Sequence, residues 1–132
     1  MSTPQPATVS ARPHPAFSAL VGLTTLGVLL QGLWAGLFLG GTDDPGTWKD
    51  VHNVGAMVTV VLALLATVAG LVWMRHNRPA VIAAGALLVL LVVETGLGAA
   101  ADDARGTVIV HVPLAMLIMA LAVYVPVVSR RR

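Results

Sequence analysis

Residues 80–101 read AVIAAGALLVLLVVETGLGAAA, and this stretch decides the class of fold. It runs 22 residues with a single charged side chain, Glu94. A helix of that length rises about 33 Å, enough to cross the hydrocarbon of a bilayer. Three further apolar runs, 17–40, 51–74 and 107–128, are as long or longer. The whole chain of 132 residues is 57% hydrophobic and 11% charged. Soluble domains carry about a quarter charged residues, and a chain this short could not bury so much apolar surface in water. The expected class is an all-α integral membrane protein in contact with the lipid bilayer.

The connections 41–50, 75–79 and 102–106 are short, so consecutive helices must be antiparallel neighbours in an up-down-up-down four-helix bundle. Residues 1–16, with four prolines and no apolar periodicity, read as a disordered tail, and 129–132 as a short basic one. The first run is too long for a signal-peptide core and lacks a clean cleavage site, so it reads as a retained helix. Arg12, Arg75, Arg78 and Arg130–Arg132 fall on one side of the bundle, against Lys49 and Arg105 on the other. The positive-inside rule then makes both termini cytoplasmic, in a cell membrane. Trp73 and Trp48 stand where the two interfacial anchors belong.

There is no cysteine, which removes disulfides, thiolate metal sites and cysteine nucleophiles. A net charge of +2 gives no footprint for nucleic acid.

The chain also repeats itself. Residues 52–57 are HNVGAM and 111–116 are HVPLAM, both H-x-x-x-A-M near the start of the second and fourth spans. Each follows an acidic loop and a helix with one polar residue in its outer half, Gln31 or Glu94. The pattern predicts two hairpins related by a pseudo-two-fold axis along the membrane normal.

On that axis His52 and His111 share one depth and face each other across the bundle. Ala56 and Ala115 lie one turn deeper on the same faces and leave flat space beside each imidazole. Two opposed neutral imidazoles around a planar gap are what a bis-histidine haem b site requires. Glu94, buried in a span, is expected to face the interior. It could serve as a group beneath the haem, as a proton relay, as a quinone partner, or simply as a hydrogen-bond partner of Gln31 in the equivalent place. Lys49 and Arg105 are candidates to pair with haem propionates. Met57 and Met116 fall about 140° around the helix from their histidines, and Asn53 about 100°, so all three are expected off the site, the methionines in packing. Gly32, Ala35, Gly36, Gly96 and Gly98 are expected to admit close helix contacts.

This arrangement resembles one half of the haem A synthase family, in which each half is a four-helix bundle with haem-ligating histidines on its second and fourth helices. His52, His111 and the Glu94-to-Gly98 stretch carry the likeness, over roughly residues 20–128. The chain also looks like a family of small four-helix bacterial membrane proteins with a glutamine late in helix one and histidines on helices two and four. The synthase pattern has glutamate where Lys49 stands and arginine where Asn53 stands, with loop cysteines that are missing here. The resemblance therefore implies a haem-binding scaffold for electron transfer or haem handling, not an enzyme oxidising a haem methyl group. Two other readings remain: a cofactor-free accessory or assembly subunit of a larger membrane complex (or a homodimer), and a small transporter or quinone-binding protein centred on Glu94.

Overall fold

The computed structural model describes residues 12–101 and 104–130, except the side chain of Arg105. These residues form four helices: α1 (Pro15–Leu39), α2 (Pro45–Trp73), α3 (Arg78–Ala100) and α4 (Val108–Ser129), with a 3-10 turn, Arg105–Thr107, before α4. All four are long and apolar enough to cross a membrane. Leu39, Ile82, Ile109 and Met116 are each 70% or more exposed, on surfaces that water would not tolerate and lipid does. The protein is a multi-pass membrane four-helix bundle.

Among the described residues α1 packs on α2 and α4, and α3 packs on α2 and α4. The helices thus form a ring in chain order, with α2 and α4 on one diagonal.

Helix starts are written in the sequence by a polar cap before a proline, whose missing N–H costs nothing in the first turn. His14 precedes Pro15, Asp44 precedes Pro45, and Asn77 stands two residues before Pro79. This chemistry, rather than hydropathy, sets the boundaries. Helix α2 therefore begins six residues earlier than position 51, and Trp48, Lys49 and Asp50 are helical rather than loop. His52 consequently stands about two turns inside α2.

The tail expectation also changes at its end. Residues 1–11 lie outside the described part, but His14 accepts from the Ala16 N–H through Nδ1 at 3.3 Å and stacks on Trp73 with ring centroids 4.4 Å apart. Nearby, Asn77 caps α3 and donates to Ser129 O at 3.1 Å, tying the α2–α3 turn to the end of α4. These contacts close the basic end.

The core lies in the basic half. Ala63, Ala66 and Ala69 of α2 and Ala80, Ala83 and Ala84 of α3 are buried, and Phe17 packs on Gly70. Helix α4 runs unbroken through Pro113 and Pro126. Pro126 cannot donate to the carbonyl four residues back, that of Ala122. The Thr25 hydroxyl of α1 supplies a donor there, 3.0 Å from Ala122 O while also 2.9 Å from its own Val21 O. A proline defect in one helix becomes a link to its neighbour.

The small-residue expectation needs correction. A Cβ added at Gly32, Gly36 or Gly96 would meet nothing within 4 Å. The tight contacts are at Gly27, against Thr59, and at Gly55, where a Cβ would collide with Trp34 and lie 2.8 Å from the Gln31 amide.

Candidate functional site

The acidic half of the bundle is hollow. A cavity of about 560 Å³ lies between the helices, within the range of small-molecule and cofactor sites. Gln31, Lys49, His52, Ala56, Glu94, His111 and Ala115 all line it. Seven of the eight residues singled out from sequence therefore converge on one space. The eighth is Arg105, whose side chain lies outside the described residues.

Each histidine is held by its own hairpin. His52 Nδ1 is 3.2 Å from the main-chain carbonyl oxygen of Gln31, on α1. The tautomer in which Nδ1 donates to that oxygen leaves Nε2 as the basic nitrogen. The Gln31 side chain reaches the α2 backbone. With its amide nitrogen towards His52 O and its amide oxygen towards the Ala56 N–H, it meets both at 3.0 Å, and the same nitrogen lies 3.0 Å from His52 Nδ1. Gly55 leaves the room for this approach. Phe38 sets its ring against the His52 imidazole at 5.4 Å between centroids, edge to face.

His111 is held by α3. Its Nδ1 is 3.2 Å from Glu94 Oε1, and the two side chains are 21% and 12% exposed. The pair is at hydrogen-bond length without hydrogen-bond alignment, and no described group hydrogen-bonds to either carboxylate oxygen. The imidazole rests on Gly98, where a Cβ would sit 3.2 Å from Cε1. Glu94 and Gly98 are one turn apart, so a single face of α3 holds the ring by its nitrogen and by its edge.

Gln31 and Glu94 thus do equivalent work on the two histidines. The bond between them considered from sequence does not form. Among the described residues no protein group reaches Nε2 of either histidine. Both histidines line one cavity, from diagonal helices.

Four buried side chains close the floor, one from each helix: Val28, Thr59, Leu91 and Ile118. They too obey the repeat. Thr59 and Ile118 stand seven residues after the histidines, and Val28 and Leu91 three before Gln31 and Glu94. The seven-residue offset, two helical turns, could have revealed them in sequence; nothing marked Phe38. Met57, Met116 and Asn53 correct the sequence reading in the other direction. All three line the cavity and are exposed rather than packed.

The donor set is narrow. Among the described residues no cluster of three or more His, Asp or Glu side chains could hold a bare metal ion. A closed zinc site takes four protein ligands, whereas a metalloporphyrin brings four of its own and asks the protein for two. The paired imidazoles, lining one largely apolar cavity with Ala56 and Ala115, are the donor set such a macrocycle asks for. Compared with models of known protein families, with curated proteins and with solved structures, the chain matches none.

Proposed function

We propose that this protein binds haem b, with His52 and His111 as the axial ligands and Lys49 and Arg105 beside the propionates. One observation carries the reading. Two imidazoles from diagonal helices line a single cavity, His52 with Nδ1 3.2 Å from the Gln31 main-chain oxygen and His111 with Nδ1 3.2 Å from a Glu94 carboxyl oxygen. Metal-ligating histidines almost always have the second ring nitrogen occupied in this way, which orients the ring and raises its basicity.

The two partners differ in charge, and so in what they contribute. A main-chain carbonyl behind His52 is a fixed dipole. The Glu94 carboxyl behind His111 would, when ionised, add electron density to that ligand and lower the potential of a bound iron. Bound haem supplies a one-electron couple, and the chain's own work is to orient, desolvate and tune it. The buried floor gives no passage towards the basic end, which argues against a transporter centred on Glu94. Electron transfer or haem handling is the role, and oxidation of the haem methyl group is not.

The site lies towards the outer face of the cell membrane. Arg12, Arg75, Arg78 and Arg130 share the end remote from the cavity, and that end faces the cytoplasm.

Protein purified from haem-replete cells is expected to show a low-spin spectrum with a sharp band on reduction. Both His52→Ala and His111→Ala should lose most of their haem, because one macrocycle needs both. A colourless preparation, or loss in one variant with an unchanged spectrum in the other, refutes the assignment. Asn53 lines the cavity, so the exposed residue Tyr124, remote from it, is the better silent control.

A further inference from the structure

The two hairpins are joined differently in the two halves of the bundle. Within a hairpin the acidic half is tight: Gln31 and Trp34 lie over Gly55, and His111 lies on Gly98. Between hairpins, two hydrogen bonds among the described residues lie in the basic half. Thr25 reaches Ala122 O across α1 and α4, and the Thr67 hydroxyl lies 3.2 Å from Ala84 O across α2 and α3. In the acidic half the cavity itself separates the hairpins.

Helical register shows where its walls meet lipid. Gly55 is three residues past His52 and faces α1, so Asn53 and Met57 lie on the opposite side of α2, towards α3. Val112 and Met116 hold the same positions on α4, towards α1. Met57 is 59% and Met116 71% exposed, although both line the cavity. Each sits about 140° around its helix from the histidine, turned off the bundle axis, so a side chain there that is both cavity wall and this exposed marks an opening in that wall. Two such openings follow from the repeat, one between α2 and α3 and one between α1 and α4.

We infer that the cavity exchanges its ligand sideways with the bilayer, through these two slots, with Met57 and Met116 as their movable edges. The inference rests on the haem reading of the site and makes the protein a reversible carrier of a flat, membrane-dissolved amphiphile. The geometry suits that task. The floor is closed by four buried side chains, and the unbranched thioether side chains can swing aside. Ligation by two imidazoles then retains an iron porphyrin that the apolar walls alone would release.

The absence of native cysteine permits a clean test. By the same register Thr95 on α3 faces Met57, and Gly32 on α1 faces Met116; all four line the cavity. A variant carrying Met57→Cys, Thr95→Cys, Met116→Cys and Gly32→Cys is treated in detergent with a short bifunctional thiol reagent, and bridging is read on a gel. Bridged while empty, reconstituted, and mixed with phosphatidylcholine vesicles carrying haemin, it should take up haem at least tenfold more slowly than the unbridged variant. Bridged after loading, it should keep its haem against excess empty vesicles. Metal-free protoporphyrin, whose entry is read by fluorescence without iron ligation, should be excluded to the same degree.

Uptake by the bridged, empty protein at the unbridged rate overturns the inference and leaves entry from the acidic end. If bridging blocks protoporphyrin but no sample ever gives a bis-histidine spectrum, the slots stand and the haem reading fails. As a second line, Met57→Trp with Met116→Trp should slow uptake and release together without altering the bound spectrum. Unchanged rates in that variant also refute the proposal.

Discussion

Replacing Glu94 tests the site where its chemistry is most specific. Glu94→Leu keeps a side chain of similar reach but removes the oxygen 3.2 Å from His111 Nδ1. The imidazole would then hold an N–H inside an apolar wall with no acceptor, free to turn on its Gly98 seat. Loss of such a partner behind a metal-bound histidine weakens binding by about 10- to 100-fold, or roughly 1.4–2.7 kcal/mol. Glu94→Gln retains a carbonyl oxygen for Nδ1–H and should stay within about threefold of wild type, near 0.7 kcal/mol at most. Its missing negative charge should instead raise the reduction potential.

Gln31→Leu provides the contrast, because the acceptor behind His52 is the main-chain oxygen of residue 31 and survives the change. It should lose less than Glu94→Leu despite its equivalent place in the repeat. The assay is titration of the empty protein with haemin in detergent at fixed pH, followed by redox titration of the loaded forms. Wild-type affinity in Glu94→Leu would refute the orienting role. Equal loss in the Gln and Leu variants would show that charge, not the oxygen beside Nδ1, is what matters.

Other expectations are independent of the cofactor. Thr25→Val should cost about 1 kcal/mol in wild type, typical of an interhelical bond in a membrane, and almost nothing in a Pro126→Ala background that restores the N–H for Ala122 O. Equal costs in both backgrounds, measured by unfolding in mixed micelles, would break the link drawn between the proline and the threonine. Asp44 caps α2, and bonds from the Thr47 hydroxyl and main-chain N–H hold its carboxyl below the usual range. Its stabilisation is complete above a pH of about 4 and is lost as pH falls through the depressed value, so the gap in Tm between wild type and Asp44→Ala should close in acid. For topology, a cysteine at Asp43 should react with an impermeant thiol reagent in intact cells and one at His76 should not; the reverse pattern would invert the bundle.

Class, helix number and order were legible in the sequence because they follow from local quantities. Twenty apolar residues in a row are a helix in lipid whatever they pack against, and three short loops leave the ring order little freedom. The convergence of His52 and His111 was legible too, since a repeated motif at one depth implies a symmetry axis between its copies. The start of α2 was also encoded, in Asp44 and Pro45, but in capping chemistry that hydropathy overlooks.

Contacts between helices were decided by the fold. Gly98 carries a histidine while Gly32, Gly36 and Gly96 meet nothing, and no feature of the chain distinguishes these glycines before α4 is placed. Gln31 and Glu94 turn to their own hairpins rather than to each other, Gln31 to the α2 backbone at His52 and Ala56 and Glu94 to the His111 ring. Met57 and Met116, which register alone puts off the histidine face, still line the cavity because the hairpins stand apart in that half. Spacing along one helix fixes the direction of a side chain; how far away the next helix stands is set by the packing of all four.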